Sequence, residues 1–375
     1  MRTRLVLLAI GAGATPLAAQ GSTALYTRWN ALAGFEYQRY SFSDSVGTNG
    51  VTSVSQWSIP LVLVAPIGRQ MSVDLTTHLA HNSVMGSTTQ TFTGLTDTQL
   101  RLLYTLGRDR AVASVSINLP TGTHSFTTSE FAVSSSMSSP YLSFPVSSLG
   151  TGFAVTGGLA YAVPTGGWNL GFAGSVRYAS SYEPFSDQPV TYTPGLEGRL
   201  RVGADRLIGQ RARLLLGATY STFSTDQFSG AGLVSGWFNP GPRFIADVGY
   251  TYTWGRTTLG VGIWDFYRAA GSDDSSPSVD SKENVFNAEL RVGHQVSPRL
   301  VLGPLVAFRQ WSPGDIRGGR LYTFGANARI GINDQFSATA TARFGPGWVY
   351  DPTPGRSGRT DLTATGLSVL VRYQR

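Results

Sequence analysis

Nine arginines, Arg101, Arg177, Arg199, Arg201, Arg213, Arg291, Arg309, Arg329 and Arg343, fall in segments where charged or polar residues alternate with apolar ones. Glu36, Asp74, Glu197, Asp205, Asp247 and Glu289 share that polar phase. Two chemistries are open to such a row. The charges can pair across neighbouring strands and keep a wall rigid and wet. Alternatively the excess of arginine makes a net-positive surface that favours anionic or carboxylate-bearing solutes.

The four histidines raise the question of catalysis. His81 and Ser83 share a face near a strand end, an arrangement superficially like the histidine and serine of outer-membrane phospholipases, but no Asn or Asp on the next segment completes a triad. His78, His124 and His294 are isolated and lack metal-ligand spacing. Asp273, Asp274, Asp280 and Glu283 form an acidic stretch that reads as a solvated loop. Neither an enzyme, a metal nor a cofactor is expected. A further set, Phe126, Phe131, Met137, Tyr141 and Phe144, lies in a Ser- and Thr-rich connection at 121–150, and its aromatic rings need an apolar place to go.

The elements that position these groups are strands. Between Gly94 and Gly122, Thr98, Leu100, Leu102, Tyr104 and Leu106 take one face and Gln99, Arg101 and Thr105 the other, a period of two. Leu103 is out of phase. After the polar residues 107–110, Ala111, Ala113, Val115, Ile117 and Leu119 alternate with Ser114, Ser116 and Asn118. This is a β-hairpin with one apolar and one polar face. Its arms run to nearly 10 residues, the length that crosses a bilayer at a tilt of about 45°.

The same unit recurs along the chain. Arms are expected from Asn30 to Tyr40, around Trp57 to Leu63 and Met71 to Leu79, then in the hairpin itself, with 85–96 returning as a loop. Further arms follow at 153–163, 168–179, 196–207, 211–223, 244–254, 257–267, 285–296, 300–311, 321–332, 336–344 and 362–373. The total is about 16 strands, with 14 as the alternative, and an even number brings both termini to the periplasmic side. The fold class is therefore all-β, a transmembrane antiparallel up-and-down barrel. Tight turns such as Pro164 to Gly167 and Asn333 to Gln335 mark one side and long loops the other. Trp57, Trp311, Trp348 and Tyr178 near loop-side ends, and Trp168, Trp254, Tyr104 and Tyr373 near turn-side ends, read as two aromatic girdles.

Composition agrees with this reading. The opening Met1 to Gln20 has Arg2 and Arg4 before an apolar core and a small-residue end, the pattern of a signal peptide at 1–20, leaving 21–375 as the barrel. No later apolar run approaches the ~18 residues of a spanning helix. The mean hydropathy of −0.03 does not separate a soluble chain from a barrel, whose two faces average out. Of 375 residues 45 are Gly and none is Cys, so an exported chain must be held by something other than disulfides. A net charge of +7 could point to nucleic acid, but the arginines are scattered over turns and alternate positions rather than gathered in one patch. No nucleic-acid partner is expected. The expected partners are outer-membrane lipid, lipopolysaccharide and a small-molecule solute.

The run Gly94-Leu95-Thr96-Asp97-Thr98, followed by an alternating arm and then Leu119-Pro120-Thr121-Gly122, resembles outer-membrane transporters of the FadL type and the related family of phenol meta-cleavage pathways. That resemblance implies passive uptake of hydrophobic or aromatic molecules. Joined to the arginine rows, it leads to an expected channel for small hydrophobic, aromatic or weakly anionic solutes, with a general diffusion porin as the nearest alternative. An outer-membrane hydrolase, or a structural or adhesive barrel, is the more distant one. The segment 121–150, third on the loop side, is expected to fold into the mouth or lumen as a constriction.

Overall fold

The computed structural model describes residues 28–46, 50–106, 110–230, 233–273, 281–314, 317–350 and 358–375. The expected signal peptide, most of the turn at 107–110 and the acidic residues 274–280 lie outside the described residues. Strands are numbered in chain order. The wall consists of β1 (Asn30–Val46), β2 (Val51–Ile67), β3 (Met71–Met85), β4 (Thr89–Leu95) with β5 (Thr98–Leu106), β6 (Ala111–Leu119), β7 (Ala154–Thr165) and β8 (Trp168–Ala179). It continues with β10 (Glu197–Ile208), β11 (Ala212–Phe223), β14 (Arg243–Trp254), β15 (Thr257–Arg268) and β17 (Glu283–Ser297), then β18 (Leu300–Pro313), β19 (Gly319–Gly331), β20 (Phe336–Tyr350) and β21 (Arg359–Gln374). Because β4 and β5 share one place in the wall, these make 16 positions in a closed antiparallel barrel. The seam is the pairing of β1 with β21, unbroken from Asn30 opposite Gln374 to Phe42 opposite Leu362.

The alternation read from the sequence sorts the two faces. Leu61, Leu63, Leu100, Leu102, Leu159, Phe172, Val176, Leu200, Val202, Leu367, Val369 and Val371 are all exposed on the outer face, Leu200 to 65%. An apolar band of that extent is unstable against water and is the surface of a protein that sits in hydrocarbon. The inner face carries Asp74, Asp205, Asn287, Glu289 and Ser116, all buried. Leu103, the out-of-phase residue, turns inward with the polar set and is buried there.

Several strands run further than the hydrophobic pattern predicts. β1 continues to Val46, β20 to Tyr350 and β18 to Pro313, all on the loop side, where ladder pairing persists beyond the apolar band. A second, four-stranded sheet stands on this side, formed by β9 (Val190–Thr193), β12 (Asp226–Gly230), β13 (Leu233–Asn239) and β16 (Ser272–Asp273). Its strands are short pieces of three successive long loops.

Two expectations are corrected. Residues 85–96 do not return wholly as a loop, because Thr89 to Leu95 pair with β3. Trp311 does not belong to the outer girdle. Its ring stacks at 5.6 Å on Tyr141 and its Nε1 donates to Glu283 at 2.8 Å, both inside the barrel.

The face assignment gives a direct test. Val369→Arg, on the outer face midway along β21, is expected to destabilise the barrel by roughly 2–4 kcal/mol, measured by equilibrium urea unfolding in lipid vesicles. Ser368→Arg, one residue away on the inner face, is expected to cost far less.

Candidate functional site

The wall is locally broken where the sequence reads Gly94-Leu95-Thr96-Asp97. Leu79 pairs with Leu95 and Thr76 with Gln99, so three residues of one strand oppose two of the other, a β-bulge. The extra residue flips the phase, and outward positions change from odd on β4 to even on β5. It also aims Asp97 at the roots of the 121–150 segment. Its Oδ1 accepts from the Gly122 N–H at 3.1 Å, its Oδ2 from the Thr151 N–H at 2.7 Å, and its own N–H donates to the Leu149 carbonyl at 2.9 Å. One aspartate thus holds both ends of the segment. A Cβ on Gly122 would lie 2.4 Å from the Asp97 nitrogen and 2.5 Å from the Leu149 oxygen, so only glycine fits.

From this root the chain forms one helix, α1 (Thr128–Met137). Thr127 and Glu130 build a capping box at its start, and Asp187 accepts from the Thr128 N–H at 3.0 Å and from its hydroxyl at 2.9 Å. Those bonds hold the exposed Asp187 carboxyl below the usual range. Val133 and Met137 are buried, and Phe126 meets Phe92 of β4 edge to face at 5.0 Å.

Beyond α1 the segment 139–149 packs against the inner wall. Tyr141, Leu142, Phe144, Val146 and Leu149 are buried in a cluster with Tyr40, Val54, Ala80, Val84, Phe92, Leu321, Val349, Leu362 and Ala364, which come from β1 to β4 and β19 to β21. Burying each large side chain stabilises this seat by roughly 1.5–3 kcal/mol. The segment has no ladder of its own here, so side chains satisfy its backbone. Gln56 donates to the Val146 carbonyl at 2.7 Å and accepts from its N–H at 2.9 Å, with its amide also donating to Asn82 at 2.8 Å. The Tyr40 hydroxyl and Gln38 amide donate to the Leu142 carbonyl, and Arg309 donates to the Tyr141 carbonyl at 2.8 Å. The Tyr141 hydroxyl donates to the Trp348 carbonyl at 3.3 Å. Of the five expected segment residues, Phe126, Met137, Tyr141 and Phe144 are buried. Phe131 is exposed and packs at 5.0 Å on Phe185.

The inward charges pair as neighbours. Arg101 bonds Asp74 at 2.7 Å, Arg201 bonds Asp247 at 2.8 Å and Arg213 bonds Asp205 at 2.8 Å. Arg199 and, at 4.0 Å, Arg177 share Glu197; Arg291 and, at 3.4 Å, Arg343 share Glu289. Arg329 lines a cavity of about 270 Å³ at the turn-side end with Arg299 and Arg372. On β8, β10, β11, β14 and β15 the inward arginines are Arg177, Arg199, Arg201, Arg213, Arg243 and Arg268. The inward carboxylates there are Glu197, Asp205 and Asp247, and Glu283 of the adjoining β17 lies 3.4 Å from Arg268, so six positive charges face four negative ones. Trp264, Phe266 and Phe223 share this inner arc, which the alternation identifies once register is known.

The histidines are otherwise engaged. His81 Nδ1 lies 2.6 Å from the Thr93 hydroxyl, and its ring stacks on Trp57 at 5.6 Å on the outer face. Glu283 is buried between Trp311 and Arg268 rather than solvated. No group of metal-ligating side chains occurs among the described residues. Gln56, Asn82 and Tyr40 are site residues that the sequence pattern does not single out. Gln56 and Asn82 stand opposite each other on the inward rows of β2 and β3, between Val54 and Ser58 and between Ala80 and Val84.

No family model matches this chain, and no curated protein is similar to it in sequence. Solved structures with a similar fold include a Pseudomonas aeruginosa FadL homologue (10% identity, TM-score 0.48, covering 94% of this chain and 92% of that one). The CymD monoaromatic hydrocarbon channel is similar at 8% identity and TM-score 0.46, over 98% of this chain and 93% of its own. An anion-selective porin from Comamonas acidovorans is similar at 12% identity and TM-score 0.43, over 92% and 98%.

Two outcomes are expected. Gln56→Leu strands the Val146 N–H and carbonyl and should lower stability by about 1–3 kcal/mol, read by thermal unfolding in detergent, with faster proteolysis at 139–149. Burial pushes the Tyr182 phenol, beside Tyr192 and His124, up to about 12. The folded state holds the proton more tightly than the unfolded chain, whose tyrosines titrate near 10. The associated stability is present below about 10, and it fades as pH rises through about 12. Tyrosinate absorbance of Tyr182→Phe against the parent protein measures it.

Proposed function

We propose that this chain is a passive channel of the bacterial outer membrane for small hydrophobic, aromatic or weakly anionic solutes. The observation that carries the reading is the asymmetry of the bore. One arc, β1 to β4 with β19 to β21, is covered by the uncharged 139–149 stretch; the facing arc, β8 to β15, carries six guanidinium groups against four carboxylates, one of them Glu283 of the adjoining β17. The segment then acts as the constriction, and the opposite wall supplies the selectivity.

In that arrangement a carboxylate-bearing solute trades water for guanidinium contacts, while its apolar part lies against Trp264, Phe266 and Phe223. The arginines are already partly neutralised and remain in contact with solvent, so each contact is weak. A series of weak sites lets a solute enter and leave without energy input. No covalent step is involved, and the roles of Arg101, Arg177, Arg199, Arg201, Arg213, Arg309, Arg329, Arg343, Asp74 and Glu197 are positional and electrostatic. Arg309 differs from the others in holding the constriction itself, through the Tyr141 and Leu142 carbonyls.

Planar-bilayer recording tests this reading. Under a salt gradient the reversal potential should show anion preference; cation preference would remove the anionic part of the proposal. Arg199→Gln with Arg243→Gln should reduce that preference by about 1 kcal/mol per charge for a solute in contact, roughly fivefold in permeability ratio for each charge removed. Replacing residues 139–149 by a Gly-Ser linker should raise conductance, whereas unchanged conductance would show that the segment does not set the bore. Deleting Thr128 to Ser139, which spares most of that seat, should have the smaller effect.

A further inference from the structure

We infer that the outer face of the barrel carries a binding site for phosphate-bearing lipid headgroups of the outer leaflet, at the loop-side ends of β19, β20, β21 and β1. The inference rests on the reading of the chain as an outer-membrane barrel. It starts from the placement of the outward arginines. Arg317, Arg320, Arg359 and Arg39 are the outward arginines at the loop-side rim among the described residues, and all four lie in this one arc. Elsewhere on that rim the outward side chains of β8, β11, β14 and β15 are Tyr178, Tyr220, Phe244 and Tyr267, without an arginine.

Depth is set by aromatic rings. Phe286 to Phe308 at 6.4 Å, Phe308 to Tyr322 at 5.2 Å and Tyr322 to Trp348 at 6.1 Å form a run of neighbouring outward rings on four consecutive strands. Such rings settle at the boundary between hydrocarbon and headgroup. Arg320 is two residues beyond Tyr322 on the loop side, about 7 Å further along the strand, which is the depth of headgroup phosphates.

The arginines are also preorganised. The Arg320 and Arg359 guanidinium carbons lie 5.9 and 4.6 Å from the Trp348 ring centre, and that of Arg317 lies 5.4 Å from the Tyr350 ring. Attraction to the ring face holds each guanidinium near the rim, and apart from the Arg359 N–H given to Asp361 its N–H groups can take phosphate oxygens two at a time. Arg39 is held by Ser41 at 3.2 Å and Ser53 at 3.4 Å. Two carboxylates lie in this arc of the rim among the described residues: Asp361, bonded to Arg359 at 3.1 Å with both side chains more than half exposed, so that the pair is weak, and Asp44 of β1, which accepts from the Ser43 hydroxyl at 2.9 Å. The excess of positive charge is complementary to a phosphorylated glycolipid and not to a zwitterionic one.

The test uses the full-length barrel in phosphatidylethanolamine vesicles that contain either diphosphoryl lipid A or the same lipid dephosphorylated. After extraction in mild detergent, bound lipid is counted by native mass spectrometry. The parent protein should retain the diphosphoryl form, and the variant Arg317→Gln, Arg320→Gln, Arg359→Gln should retain about tenfold less. Arg206→Gln, which removes the guanidinium 5.2 Å from Trp168 at the turn-side rim, should retain as much as the parent. Equal retention by the triple variant, or equal retention of the dephosphorylated lipid, would overturn the site. If the triple variant lacks heat-modifiable migration, Arg320→Gln alone is read by the same criteria. Solute permeability measured in the same vesicles should not change in the variants, so a failed lipid site and a failed channel give different results.

Discussion

Every backbone N–H and C=O that enters hydrocarbon has to find its partner inside the protein, because no water is there to take it. In this chain the requirement is met by closing β1 onto β21 over the full run from Asn30 to Phe42. Much else follows from that closure. Strands in a closed wall present alternate side chains to lipid and to the interior, so the apolar outer set dictates a polar inner set. The inner set is rich in arginine, and arginines on adjacent strands lie within reach of the carboxylates between them. Their pairing is therefore a product of register. Asp247 meets Arg201 across β11 because Gly217, with no side chain, stands between them; a Cβ there would lie 2.4 to 2.6 Å from their atoms.

A polar bore imposes a second condition on anything that enters it. The 139–149 stretch carries backbone groups that no strand pairs, and it brings apolar side chains into a wall otherwise built from charge. Both problems are solved locally. The wall strands facing it place Tyr40, Val54, Ala80, Val84, Leu321, Val349, Leu362 and Ala364 on the inner side, turning part of the polar face apolar. Gln56, Gln38, Tyr40 and Arg309 then supply the hydrogen bonds that a neighbouring strand would have supplied. The bulge at Thr96 and Asp97 belongs to the same solution. It interrupts the ladder at one point and frees a carboxylate to bind the two roots of the segment.

The barrel was legible because a period of two, sustained over arms of about ten residues, suits a membrane-crossing strand and neither a helix nor the shorter strands of a soluble sandwich. Strand count, face assignment and most inward charges followed from it. What stayed hidden was wherever that period breaks. At the bulge the phase inverts between Leu95 and Leu100, so β4 loses its alternation relative to β5 and reads as loop. Trp311 has the residue type of a girdle and the parity of the interior, and parity decides its place once register is known. The small sheet of β9, β12, β13 and β16 depends on pairing between three separate loops, and no local pattern encodes such long-range contacts. Gln56 could be seen as polar and inward, but its partner lies 90 residues away, at Val146.

The same limit applies to charge, and it bears on how the +7 of the chain should be understood. Composition gives one excess of arginine, while the fold divides it among environments with different consequences. On the inner wall Arg201 and Arg213 are held by carboxylates, and their fields at the bore are largely cancelled. Arg309 is spent on carbonyl oxygens, where its charge steadies a backbone that would otherwise have no donor. Arg320 and Arg359 lie against Trp348 on the outside, where the ring contributes a weak attraction and no compensating charge. This last group is only weakly compensated, by the exposed Asp361 beside Arg359, and it faces the lipid rather than the lumen. A net charge read from sequence would have assigned all of it to the solute path; the register of sixteen strands shows that the two surfaces of one wall divide it between them.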